Sequence, residues 1–344
     1  MLRANLTTRK TIVMEQVNEP IPGSGQVRLK VETCGVCGSD IHAYYGEHPY
    51  IGFPIQQGHE FAGRIDQIGP DVTGWQVGQR VTAEPSVVCG ECENCQQGNY
   101  HICYRLSVIG CQSDGAMAEY VLVQAKKLVA LPDTMTFEEG AFVEPLAVGV
   151  HAVRRVATHA GTRMLILGAG TIGLMTLFAA LGAGITDITI TDILDEKLQL
   201  ARKLNAKHTV NVRDTSLSDF CRTTFGTEMA FDVAIECVGT AGTVRGALPV
   251  LKKGGKLVLG GVFPEEVPVN LGLAQDRELS LIGTLMYQMD EFTTARDLIA
   301  SGKAPVQGLI TSRYPLAEFP QAMKMIDENR NANLKTMIHI RPQS

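Results

Sequence analysis

Cys89, Cys92, Cys95 and Cys103 fall within 15 residues in the pattern C-x2-C-x2-C-x7-C, close enough for four thiolates to converge on one tetrahedral cation. Zinc saturated by four sulfurs has no open position, so such an ion would staple a loop and take no part in chemistry. Disulfides are the competing reading, but cysteines three apart make poor partners and nine cysteines is an odd count. Chemistry is to be sought elsewhere. Cys37 in CGVCGSD and the adjacent His59 and Glu60 in GHE are the remaining residues most like metal ligands, with Glu144 in EPLAV as a fourth candidate. Singly each carries little weight, since a lone cysteine is usually a small buried apolar residue. Together, two or three ligands from a mixed Cys, His and carboxylate set plus a water describe an open zinc site that accepts a substrate oxygen.

A second constellation is built from glycine. Gly168, Gly170 and Gly173 give GxGxxG in GAGTIG, with Thr171 and Ile172 between them, at the end of an apolar run and the start of a helix-like one. The first glycine makes a tight turn, the second admits a pyrophosphate to the backbone, and the third lets helix pack on strand. Asp192 stands 19 residues beyond Gly173, where a carboxylate accepts both ribose hydroxyls of an adenosine. It would repel a 2′-phosphate, which favours NAD over NADP, although Lys197 nearby works the other way.

These residues need a scaffold. Residues 1–146 read as short strands punctuated by glycine and proline, with alternating apolar positions at Val27, Leu29 and Val31 and at Tyr120 and Leu122. From residue 147 to 284 buried strands alternate with helices: the apolar run MLILGAG ending in glycines, ITITD within DITITD, HTVNV, FDVAIECVG and KLVLGGV read as strands, with a segment near SLIGTL as the last. IGLMTLFAALGAG, DEKLQLARKLNA and GTVRGALPVLKKGG are the helical stretches between them. The alternation predicts an α/β, doubly wound parallel sheet. Residues 285–344, with helical spacing in DEFTTARDLIASG and LAEFPQAMKMIDENR, are expected to return to the first domain.

The chain of 344 residues has 45% hydrophobic content and a net charge of −5, which argues against a nucleic-acid or anionic-membrane surface. No signal-peptide core or apolar run of spanning length is seen, so the cytoplasm is the expected compartment. Partners are expected to be small molecules or further copies of the chain.

GVCGSDIH, GHE, the four-cysteine loop, EPLAV and GAGTIG occur in this order in zinc-dependent medium-chain alcohol dehydrogenases, which the sequence resembles over essentially its whole length. Glu144 within EPL is similar to the sorbitol (polyol) and threonine dehydrogenase branches. The resemblance implies a GroES-like catalytic domain, a Rossmann domain, NAD, one catalytic and one structural zinc per chain, and dimers or tetramers. It implies that Cys37 and His59 ligate the catalytic zinc, that Glu60 ligates it in the polyol branch, and that Glu144 enters the shell or holds a water. Ser39 matches the hydroxyl that contacts the substrate alcohol, His42 a proton-relay histidine, and Asp40 the carboxylate that orients the ligand histidine. Gly260, Gly261 and Val262, with Thr284, Leu285 and Met286, match the backbone contacts to the nicotinamide half.

The activity implied is oxidation of a secondary alcohol by hydride transfer to NAD. Animal sorbitol dehydrogenases carry an Arg and a Tyr where this chain has Met286 and Tyr287, so a charged fork for hydroxyls is replaced by an apolar side chain. Tyr44, Tyr45 and Gln288 are the candidates for other polar contacts. A polyol or related sugar alcohol is the expected substrate; threonine, a vicinal diol and a sugar acid are alternatives. A zinc-loop nucleic-acid binder and an NAD-sensing regulator are the readings without catalysis; the acidic charge opposes the first, and Cys37, His59, Glu60 and Ser39 oppose the second.

Overall fold

The run Met164–Leu167 is apolar at successive positions, a pattern that a strand can bury only when both faces are covered. In the computed structural model, which describes residues 1–329 and 331–341, Arg163–Leu167 lies inside a six-stranded sheet. Its order is His208–Asn211, Asp187–Asp192, Arg163–Leu167, Phe231–Glu236, Leu251–Leu259 and Ser280–Gly283, and every neighbouring pair is parallel. In chain order this is 3-2-1-4-5-6, the doubly wound arrangement whose ligand crevice opens at the carboxyl ends of the strands. The helix Thr171–Gly182 is buried continuously from Gly173 to Ala180, because its apolar residues run all round it.

One helical expectation fails in part. In GTVRGALPVLKKGG the helix Ala241–Ala247 ends early, a 3-10 turn Leu248–Val250 follows, and Leu251 already pairs with Phe231 as strand. Pro249 supplies no N–H to continue the helix, and Gly254 takes φ +73° within the new strand. The sheet also starts earlier than KLVLGGV suggests.

A second large sheet has seven strands, beside two two-stranded ones. Ile310–Pro315, Lys335–His339, Gln26–Val36, Glu60–Ile68, Arg80–Ala83 and Leu128–Ala130 lie in that order, with Tyr120–Gln124 also paired to Gln26–Val36. Val27, Leu29 and Val31 face the core as their alternation predicts. The second alternation is out of phase: Val121 and Val123 are the buried residues, and Tyr120 and Leu122 are only half-buried on the other face. Both sets are apolar, so the pattern there does not by itself select a face.

Two compact units result, Met1–Glu144 with Gln288–Ser344, and Pro145–Tyr287, where the sequence reading changes domain at 146/147 and 284/285. The helix Phe319–Glu328 is preceded by a 3-10 turn, Leu316–Glu318. Arg330, which ends the helical stretch read from sequence, and 342–344 of the returning segment lie outside the described residues.

Candidate functional site

Cys37 follows the strand Gln26–Val36 and precedes the short helix Gly38–Tyr44, while Glu60 opens the strand Glu60–Ile68 with His59 just before it. Antiparallel register sets Gly35 opposite Glu60 and Val36 opposite Thr336, so three distant chain segments arrive at one place in the sheet. Here a ligand atom from each of Cys37, His59 and Glu60 lies within 4.8 Å of the others. Glu144, buried in the first turn of Val143–Arg154, does not belong to that close group.

The surroundings fit a metal. Asp40 is fully buried; its Oδ2 accepts the Cys37 N–H at 2.9 Å, and its Oδ1 has no hydrogen-bond partner but stands 4.0 Å from His59 Nδ1. That unpaired oxygen suits a histidine that donates from Nδ1 to a carboxylate and offers Nε2 to an ion. Burial works to lower the pKa of His59, but Cys111, Cys37 and Asp40 outweigh it and hold the ring well above the usual histidine range. An ion binding His59 would displace that proton. Cys34, close by, is pushed well up by burial and by Asp40 and Glu60, so it stays a thiol and is no rival to Cys37.

Ser39 is half-buried on the same short helix, and His42 is exposed at its last turn, 4.0 Å from Glu47. Tyr44 and Tyr45, considered from sequence as polar substrate contacts, are instead buried in the apolar core of this unit. Gln288 is also otherwise engaged: its Nε2 donates to the Gly98 carbonyl at 3.0 Å and lies 3.1 Å from His101 Nδ1. Three neighbours of the cluster escape sequence reading. Lys335 is buried against Glu60, Cys111 Sγ stands 3.8 Å from His59 Nδ1, and Gly35 leaves the space that Glu60 Oε2 occupies, since a Cβ there would lie within 2.3 Å of it. Lys335 and Cys111 are joined to the site only by the fold; Gly35, within CGVCGSD, was the one local hint.

The four loop cysteines also converge. Their ligand atoms all lie within 4.8 Å of one another, with Sγ separations of 3.4 Å for Cys89 and Cys103, 3.8 Å for Cys92 and Cys103, and 3.9 Å for Cys89 and Cys95. Backbone N–H groups of Cys92 and Arg105 point at Cys89 and Cys103, and the Cys92 N–H is the main reason that Cys89 is lowered to about 6. Preorganised sulfurs at this spacing fit one closed tetrahedral ion. The loop is moored by Tyr100, whose hydroxyl donates to Glu84 at 3.0 Å and accepts the Met289 N–H at 2.6 Å.

In the parallel-sheet unit the three glycines of GAGTIG have three different constraints. Gly168 adopts φ +99°, Gly170 has nothing within 4 Å of a Cβ position, and a Cβ on Gly173 would stand 1.9 Å from the Gly168 carbonyl. The open position leaves room for a ligand to approach the backbone; the crowded one is where helix meets strand. Thr171 and Ile172 are half-buried at the start of the helix Thr171–Gly182. Asp192 ends the second strand, with Oδ2 accepting from Ala169 N at 2.8 Å and Oδ1 from Ile193 N and Leu194 N at 2.8 and 3.1 Å. Its carboxylate is thus fixed beside the glycine turn, and Lys197 is half-buried one turn into the next helix. Gly260, Gly261 and Val262 form the turn after Leu251–Leu259, and Thr284 N donates to the Leu259 carbonyl at 3.1 Å. Leu285 is exposed, and Met286 takes φ +52° before the buried Tyr287.

Comparison with known proteins agrees with this arrangement. Residues 23–133 match the alcohol dehydrogenase GroES-like domain, and residues 171–301 match the zinc-binding dehydrogenase domain. Sorbitol dehydrogenase of Bacillus subtilis is 32% identical, covering 98% of this chain and 97% of its own. The 2-dehydro-3-deoxy-L-galactonate 5-dehydrogenase of Pseudoalteromonas atlantica is 33% identical, covering 96% of each. A zinc-binding dehydrogenase of Sinorhizobium meliloti, solved with NADP bound, superposes with a TM-score of 0.90 at 33% identity over 98% of both chains. Two domain matches and full-length similarity at this level, together with the two cysteine-bearing centres and the 3-2-1-4-5-6 sheet, make the chain a member of the zinc-dependent medium-chain dehydrogenase superfamily.

Proposed function

We propose that this dehydrogenase oxidises a secondary alcohol of a polyol or related sugar alcohol to a ketone, with NAD as the acceptor. The observation that carries the reading is the close group of Cys37, His59 and Glu60 beside a buried carboxylate with one unpaired oxygen. Cys37 and His59 would hold the zinc together with a carboxylate, Glu60, which groups with them, or Glu144 as the alternative. Asp40 fixes the ring of His59 through Nδ1. Zinc, when bound, supplies a Lewis acid that lowers the pKa of an oxygen ligand, from about 15.7 to about 7 for water. Ser39 would accept the proton of the substrate hydroxyl as it gives up its own, and His42, on the exposed side of the same helix, would pass that proton to solvent. Gly168, Gly170, Thr171, Ile172 and Gly173 receive the pyrophosphate, Asp192 the adenosine ribose, and the turns 260–262 and 284–286 the nicotinamide half. Hydride chemistry belongs to the cofactor; the chain positions it.

NAD is preferred to NADP on the strength of Asp192, whose carboxylate repels a 2′-phosphate. A sugar acid is the second reading, supported by the similarity to the Pseudoalteromonas enzyme. A homodimer or homotetramer in the cytoplasm completes the proposal. No helix among the described residues is long and apolar enough to cross a membrane.

The test is a screen of polyols, sugar acids, vicinal diols and threonine, following NADH formation by absorbance and repeating it with NADP. Turnover of a polyol with NAD supports the proposal, and a sugar acid turned over in its place selects the second reading. No turnover of any secondary alcohol by zinc-replete enzyme sinks both.

A further inference from the structure

Glu236 ends the strand Phe231–Glu236 at the carboxyl edge of the parallel sheet and is fully buried. Its Oε1 accepts three hydrogen bonds, from Val238 N at 2.9 Å, Gly239 N at 2.8 Å and the Thr243 hydroxyl at 2.7 Å. Its backbone carbonyl accepts two more, from Gly260 N at 2.9 Å and Gly261 N at 3.1 Å. One residue therefore holds both the turn after its own strand and the turn after the neighbouring strand, Leu251–Leu259.

The two turns also interlock. A Cβ on Gly239 would stand 2.1 Å from the Val262 carbonyl, and one on Gly261 would stand 2.2 Å from Gly239 N and 2.5 Å from Glu236 Oε2. Val238 in turn lies against the phosphate turn, because a Cβ on Gly168 would meet its Cγ2 at 2.5 Å. Neither turn can shift without moving the other. The arrangement has a cost, since Glu236 Oε2 is buried without a hydrogen-bond partner. An apolar side chain would fill the space without that loss, but it would leave the N–H groups of Val238 and Gly239 without their acceptor.

We infer that Glu236 is a positioning residue for the nicotinamide half of the bound dinucleotide: its side chain holds turn 237–240 in the shape that packs against turn 260–262. The inference rests on the proposed contact between residues 260–262 and that half. The adenosine ribose is assigned to Asp192, whose carboxylate is held by the N–H groups of Ala169, Ile193 and Leu194 and makes no hydrogen bond to either locked turn. Loss of the lock should therefore weaken NAD while sparing AMP, a selectivity that a general loss of stability would not produce.

Dissociation constants for AMP and NAD, measured by calorimetry, and melting curves test this on wild type, Glu236→Ala, Glu236→Gln, Thr243→Val and Asp192→Ala. Glu236→Ala should weaken NAD about tenfold and leave AMP within about a factor of two. Glu236→Gln, whose amide oxygen can take the place of Oε1, should recover most of the loss. Thr243→Val removes one of the three donors and should weaken NAD about threefold. Equal losses of AMP and NAD, unchanged NAD affinity in both Glu236→Ala and Thr243→Val, or no recovery in Glu236→Gln would overturn the inference. If Glu236→Ala does not fold, Thr243→Val decides alone: selective loss of NAD supports the lock, and no loss overturns it. Asp192→Ala separates this failure from failure of the underlying reading. Should it leave AMP and NAD unchanged, the dinucleotide assignment itself falls and the inference with it.

Discussion

Lys335 places its ammonium nitrogen 2.7 Å from Oε1 and 2.5 Å from Oε2 of Glu60, and both side chains are almost wholly removed from solvent. The same nitrogen donates to the Val36 carbonyl at 3.2 Å and stands 5.9 Å from the centre of the Phe142 ring. Burial works to lower the pKa of Lys335, but Glu60, Cys37 and Glu144 outweigh it and hold the pKa above the usual lysine value. The carboxylate grouped with Cys37 and His59 is therefore already bound at both oxygens, and an ion recruiting Glu60 must share it with Lys335.

Removing one partner of such a pair leaves an uncompensated buried charge, which costs about 3–5 kcal/mol. Lys335→Met should lower the stability of the zinc-free protein by about that amount, measured by urea unfolding. Adding Glu60→Gln to it should recover part of the loss, and the double-mutant cycle gives the coupling. Independent, additive effects of the two changes would show that the pair contributes little.

The four-cysteine loop should carry one ion and no chemistry. Cys95→Ala is expected to reduce zinc from about two ions per chain to about one, by elemental analysis, and to lower the melting temperature. A fully stable variant that still holds both ions would remove the staple from this loop.

Asp192 is fixed by three backbone N–H groups before any cofactor arrives. Asp192→Ala should weaken NAD and shift the NAD to NADP ratio of kcat/KM towards NADP by about tenfold, or about 1.4 kcal/mol. An unchanged ratio would mean that another residue sets the preference.

Glu138 lies within hydrogen-bond distance of two donors, Arg313 Nε at 2.7 Å and His339 Nε2 at 2.8 Å. Burial works to raise its pKa, yet the bonds from Arg313 and His339 prevail and hold it below the usual glutamate value. A depressed carboxyl stabilises the fold above its unfolded pKa, about 4.3, and loses that contribution as pH falls through the lower folded value. Glu138→Gln should therefore be less stable than wild type by about 1 kcal/mol near neutrality, given that Arg313 is half exposed. The gap should close only below about pH 4.3, in paired denaturation curves. A gap of constant size at all pH values would exclude the linkage.

What the sequence determined is what lies close along the chain. The cysteine loop spans 15 residues and the glycine turn six, so ligand identity and spacing already define a tetrahedral thiolate set and a phosphate-approach turn. Apolar runs alternating with helices likewise fixed the parallel sheet, because burial on both faces demands that composition. The tertiary structure decided the rest. The phase of Tyr120–Gln124 rests on neighbouring strands, since apolar side chains occupy both of its faces. That Glu60 rather than Glu144 joins Cys37 and His59 depends on strand register across the first sheet. Lys335 reaches Glu60 from 275 residues away, and nothing in KTMIH marks its lysine as different from any exposed one. A buried charge is recognisable only by its partner, and strand pairing at long range is what supplies that partner.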